Sequence, residues 1–141
     1  MKKTIGTLCL AAAAAIVPLG AAHAAPSHVA VTLHPTAKLK SNAHFMHAMG
    51  TAKVRYAKGD AYINLTVENL PMPSSVGKRA YVLYASDGAM IDRVGALHIS
   101  GHMAGINGEV MMARVQDLYV YAESNAQNKH PHGTLVLSAM V

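Results

Sequence analysis

Cysteine occurs once in these 141 residues, phenylalanine once and tryptophan not at all. A lone cysteine excludes a disulfide framework and any multi-cysteine zinc or iron–sulfur centre. Charge is scarce as well. Asp, Glu, Lys and Arg make up 13% of the chain, against roughly 25% in ordinary soluble domains. With a hydrophobic fraction of 52%, this excludes a disordered chain, which needs low hydrophobicity and high net charge. The seven acidic residues are scattered, and Asp60, Asp87 and Asp117 occupy turn positions, where Asp serves backbone hydrogen bonding. No G-x-S-x-G elbow, phosphate loop or dinucleotide fingerprint is present. The chain is not expected to be an enzyme.

The one long apolar run opens the sequence. Lys2 and Lys3 precede an apolar stretch from Ile5 to Leu19, and Ala22-His23-Ala24 forms a small-x-small site before Ala25. This is the pattern of a cleaved secretory signal over residues 1–24, and the run is shorter than the ~20 residues a spanning helix needs. Cys9 follows Leu8 rather than a small residue, which argues against a lipid anchor. The expected location is the periplasm or the medium. Cleavage leaves 117 residues with no cysteine, 10 basic against 7 acidic side chains and a formal charge of +3. The basic residues are dispersed, where a nucleic-acid face would cluster them, so nucleic acid is not an expected partner. No second run is long enough to span a membrane.

The mature chain divides into a His- and Lys-dotted lead-in, 25–49, and a strand-rich domain, 50–141. The lead-in holds one short strand, Val29 to Leu33. In Ala52-Lys53-Val54-Arg55-Tyr56 the apolar side chains alternate with cations, and in 62–68 Ile63, Leu65 and Val67 share a face. Such period-2 patterning marks half-buried antiparallel strands. Lys58-Gly59-Asp60 is a turn, and Pro71 and Pro73 end the next strand. Further strands are expected over 80–85, 90–99 with a bulge at Gly95, 109–115, 118–122 and 134–141. The fold class is all-β, an antiparallel β-sandwich of Ig-like or Greek-key type with seven to eight short strands. Ile63, Leu65, Val67, Leu83 and Tyr84 are expected in the core, and Met111, Met112 and Met140 as core filler. The 71–78, 101–108 and 124–133 loops are the expected ligand-bearing segments.

From Gly50 onward several landmarks follow in order: Val67-Glu68-Asn69-Leu70-Pro71, Gly77-Lys78, Tyr81-x-x-Tyr84, Asp87-Gly88, Gly95-Ala96-Leu97, Val120-Tyr121-Ala122-Glu123 and Pro131-x-Gly133. In this order, over about 90 residues, the chain resembles the extracytoplasmic C-terminal domain of the anti-sigma-K factor family. It departs from that pattern in having Tyr84 where Trp is usual, and in lacking a sigma-binding domain and a membrane helix. The resemblance implies a sandwich and a location outside the cytoplasm, not direct binding of a sigma factor; a connection with sigma-factor regulation stays open.

Histidine is abundant: eight remain after cleavage, as do eight methionines. His44 and His47 are followed by Met49, and His98 and His102 by Met103; His130 and His132 flank Pro131. Imidazole binds copper, zinc and nickel, and thioether favours Cu(I). The candidate metal ligands are therefore His44, His47, Met49, His98, His102 and Met103, although such pairs also arise on any His-rich surface. No resident cofactor is implied. Two functions stay open: an exported, non-enzymatic protein that binds an envelope protein or small ligand or senses the envelope, and a periplasmic copper- or zinc-binding protein using these His/Met groups.

Overall fold

The computed structural model describes residues 28–141. The signal-peptide expectation for 1–24, its cleavage before Ala25, and Cys9 lie outside the described residues. Nine strands follow in order: β1 (His28–Pro35), β2 (Met49–Ala57), β3 (Asp60–Glu68), β4 (Ala80–Ser86), β5 (Ile91–Ala96), β6 (His98–Ser100), β7 (Met103–Val110), β8 (Asp117–Glu123) and β9 (Thr134–Met140). A 3-10 turn, Pro73–Val76, precedes β4. The fold is all-β and antiparallel throughout, with nine strands rather than seven or eight. Among the described residues no helix is long and apolar enough to cross a membrane.

The strands form one sheet in the order β5-β4-β8-β9-β1-β2-β3-β7-β6. β1, set apart in the lead-in by the sequence pattern, stands in the middle. Its residues 28–33 pair with β2, and His34 and Pro35 pair with β9. One strand thus passes from the first layer (β1-β2-β3-β7-β6) into the second (β5-β4-β8-β9). The sheet folds across its own apolar face and nearly closes into a barrel where β5 meets β7. There a side chain on Gly108 would come within 2.6 Å of Val94, and one on Gly95 would collide with Ile106.

Alternation decides which residues lie inside. Val54 pairs with Ile63 and Ala52 with Leu65; Leu65 in turn pairs with Ile106, and Val67 with Ala104. Ala52, Val54, Ile63, Leu65 and Val67 are all at most 2% exposed, whereas Lys53 and Arg55 face solvent. Tyr81, Leu83, Leu118, Val120 and Leu137 meet them from the second layer. The turn at Lys58 and Gly59 takes φ of 55° and 85°, the two-residue hairpin geometry that matches strand twist. The expected bulge is present one residue from Gly95: Leu83 pairs with Gly95 but Tyr84 with Arg93, leaving Val94 unmatched.

Four expectations are corrected. The 101–108 segment is not a loop; its larger part is β7, which pairs with β3 from Ala61 to Glu68. Gly105 and Gly108 are there because neighbours approach closely: a side chain on Gly105 would stand 2.9 Å from the Leu65 carbonyl oxygen. The strand expected over 109–115 ends at Val110, and that over 90–99 breaks at Leu97, whose N–H donates to the Tyr81 carbonyl (2.8 Å) as the chain changes layer. Met111 and Met140 are 87% and 80% exposed; of the three methionines expected as filler, only Met112 is buried.

β4 is buried on both faces. Tyr81 and Leu83 enter the central core, while Tyr84 lies on the reverse side, against Tyr121 in an edge-to-face contact of 5.6 Å. The 124–133 loop covers that side, and Glu123, fully buried, fastens it. Its carboxylate accepts hydrogen bonds from the Tyr84 hydroxyl (3.2 Å), the Asn128 side-chain amide (3.1 Å) and the His132 N–H (3.0 Å). Arg93 clamps the same loop by donating twice to the Ala126 carbonyl. Burial alone pushes the Glu123 carboxyl up, but the donors of His132, Asn128, Gly133 and Tyr84 together outweigh it and hold the group below its ordinary value.

Two predictions follow from the packing. Leu65→Ala should cost about 2–5 kcal/mol by chemical denaturation, because a buried cavity replaces the side chain. Lys53→Ala, on the outward face of the adjacent strand, should stay within about 0.5 kcal/mol. For Glu123, a depressed folded-state pKa means its stabilisation is complete above the unfolded value of about 4.3 and is lost as pH falls through the folded value. Denaturation midpoints of the wild type should therefore decline below about pH 5 more steeply than those of Glu123→Gln, which starts less stable at neutral pH.

Candidate functional site

The two His/Met groups, more than 50 residues apart in sequence, meet at one corner of the first layer. The 36–48 segment is a run of turns anchored by the only phenylalanine. The Asn42 carbonyl accepts from Phe45 N–H (3.0 Å) and Met46 N–H (2.9 Å), and its side-chain oxygen accepts from His44 N–H (2.8 Å), capping a single helical turn. Phe45 and Ala48, three residues apart, are buried at 5% and 2% exposure. Residues at that spacing share a side of a helical turn, and His44 and His47, also three apart, remain exposed.

The second group arrives on the β6–β7 hairpin. Ser100 pairs with Met103, leaving Gly101 and His102 as a two-residue turn. Gly101 has a φ of +61°, the place where a hairpin turn of this kind calls for glycine. His102 therefore stands at the hairpin tip. Asn69 ties the two groups together. It follows β3 in the left-handed conformation (φ 58°), which asparagine tolerates better than other non-glycine residues. Its backbone N–H donates to the His102 carbonyl (2.9 Å) and its side-chain amide to the His47 carbonyl (3.3 Å). His44, His47 and His102 consequently line one open hollow with Ala43, Leu70 and Pro71.

Strand register supplies the thioethers. Met49 pairs with Glu68, and Glu68 with Met103. Directly paired residues point to the same side of a sheet, so Met49, Glu68 and Met103 form one outward row. Adjacent strands lie about 4.8 Å apart, so the two methionine positions are separated by roughly 10 Å. Flexible thioether side chains leaning toward each other can close that span over the carboxylate. Met49 is 48% and Met103 42% exposed. His98 lies on the same face but outside the three-histidine hollow. It pairs with Gly105 and shares a neighbouring depression with Met103, Ser100 and Asn107.

Among the described residues no group of three or more His, Cys, Asp or Glu side chains is placed to hold a metal ion. Two of the other acids are engaged elsewhere. Asp87 accepts from the N–H groups of Met90 and Ala89, which hold its carboxyl below the ordinary value, and Glu123 fastens its loop. Glu68 and Asn69, which complete the corner, were not singled out as site residues by sequence. Asn before Leu-Pro at a strand end is a signal for the left-handed position of Asn69, but the place of Glu68 between two methionines exists only in the register. Comparisons of the chain with protein-family models, with characterised proteins and with solved structures found no match.

Asn69→Ala should be less stable than Asn69→Gly by about 1 kcal/mol, because both lose the bond to His47 but only alanine is strained at positive φ. Denaturant titration of the two variants measures this; equal losses would contradict the left-handed assignment.

Proposed function

We propose that this chain is an exported, non-enzymatic copper-binding protein that takes Cu(I) at the corner formed by Met49, Met103, His47 and His102. One observation carries this reading: Asn69 ties the backbones at His47 and His102 together, beside the strand row that sets Met49 and Met103 on either side of Glu68. Soft thioethers select Cu(I) over harder ions, and imidazole completes a mixed set. Glu68 supplies negative charge beside a cation, and His44 borders the hollow. Zn(II), the other metal compatible with histidine, gains little from thioethers, so the composition of the corner favours copper. The signal-like N-terminus supports a location outside the cytoplasm.

A second reading, an envelope protein partner as in the anti-sigma-K resemblance, has its own support on the outward face of the first layer. Arg55 stacks over the Tyr62 ring at 4.4 Å, and His28, Lys53 and Glu109 surround the pair in a broad hollow. Arginine and tyrosine are enriched in protein interfaces.

Untagged protein titrated with Cu(I) against a competing chelator should bind one ion per chain. Met49→Leu/Met103→Leu should weaken binding at least about tenfold, equivalent to 1.4 kcal/mol, and His47→Ala/His102→Ala should remove its dependence on pH, since protonated imidazole cannot ligate. Arg55→Ala/Tyr62→Ala should leave it unchanged. Non-stoichiometric binding, indifferent to the Met pair, would eliminate the copper reading and leave the partner reading.

A further inference from the structure

Among the described residues every large apolar side chain that stands exposed is a methionine. Met46, Met49 and Met103 are 42–48% exposed, Met72 and Met90 56%, Met140 80% and Met111 87%. Leucine, isoleucine, valine and phenylalanine are kept inside or half-buried, and of the eight described methionines only Met112 (3% exposed) lies in the core. This inverts the usual employment of methionine as a filler of core gaps. It is not explained by a demand for surface apolarity, which leucine or valine would meet equally well. Nor do the seven form one docking patch. They occur on the 36–48 turns, on β2, β7 and β9, before the 3-10 turn, in the β4–β5 turn and after β7, whereas an interaction surface would be contiguous. What the seven positions share is an accessible sulfur.

We infer that this surface consumes two-electron oxidants, peroxides and hypohalous acids, with the exposed thioethers as sacrificial targets. With hydrogen peroxide, a sulfur lone pair attacks one peroxide oxygen. The S–O bond forms as the O–O bond breaks, sulfur is oxidised by two electrons, and the other oxygen leaves as water. Each methionine becomes a sulfoxide, and each peroxide is reduced to one water. Sulfoxide formation ordinarily damages proteins by making a core side chain polar. Here the reacting sulfurs are outside the core, so the fold can absorb the modification. The absence of cysteine after Ala25 means that no thiol competes for the oxidant in a mature chain beginning there. This inference does not depend on copper binding; it shares with it only Met49 and Met103.

The test uses the folded protein, hydrogen peroxide and a limiting dose of hypochlorite. Intact mass and peptide mapping should show seven added oxygen atoms, at the exposed methionines, with Met112 unmodified beside oxidised Met111 and the near-UV circular dichroism spectrum retained. A variant with Met46, Met72, Met90, Met111 and Met140 changed to Leu, a near-isosteric exchange, should protect a co-incubated reporter enzyme from hypochlorite with about two-sevenths of the wild-type capacity. If that variant aggregates, the same five positions changed to Gln serve instead. Its Cu(I) affinity should be unchanged, which separates failure of this inference from failure of the copper reading. Oxidation of Met112 in step with the others, loss of the fold as the exposed sulfurs react, or full protection by the five-site variant would each overturn it.

Discussion

Everything in this fold depends on β1 serving two layers. A sheet without helices has to bury its apolar face against itself, and the means here is a strand that pairs with β2 over 28–33 and with β9 at His34 and Pro35. The core therefore consists of side chains from strands that are remote in sequence, such as Leu65 and Leu137, pressed together by the bend. The same bend leaves the outer face of the first layer free, and the candidate site lies there.

The two ends of the molecule solve the burial of polar groups differently. On the reverse of β4, a fully buried carboxylate is stabilised by neutral donors from Tyr84 of β4 and from one loop. Isolated buried charge is costly unless its hydrogen-bonding capacity is filled, and Glu123 has partners from Tyr84, Asn128, His132 and Gly133. The 124–133 loop, one of the segments expected to bear ligands, is thereby anchored at Asn128 and His132. By contrast, the Tyr81 hydroxyl, on the core side of the same strand, has no hydrogen-bond partner among the described residues, and burial pushes its ionisation far up. At the His/Met corner the polar groups stay in solvent and keep their ligating atoms available.

Much of the fold was legible in the sequence, and what escaped has physical causes. Alternation over 52–56 and 62–68 identifies the inward faces because one side of each strand is buried and the other wet. Gly105 and Gly108 mislead, since glycine marks a turn and a tight strand contact alike; only the positions of the Leu65 carbonyl and of Val94 separate the two. Met111 and Met140 mislead because an apolar residue in an apolar run need not point inward. The six candidate ligands were visible as local clusters. Their arrangement was not: His98 falls outside the hollow of His44, His47 and His102, Met49 and Met103 share a row only because both pair with Glu68, and the register between strands some fifty residues apart is not written in local pattern.

The sheet is almost closed, and its last strand is short. β6 has three residues, His98 to Ser100, at one end of the strand order, with β5 at the other. A free strand edge is a template for edge-to-edge aggregation, and natural sheets blunt it by keeping the edge short or polar. With His98 and Ser100 both exposed, β6 offers an incoming chain few backbone groups and no apolar stripe to cover. Crowded copies of this protein would thus find little purchase for β-strand polymerisation at this rim, while the hairpin tip that carries His102 remains unobstructed.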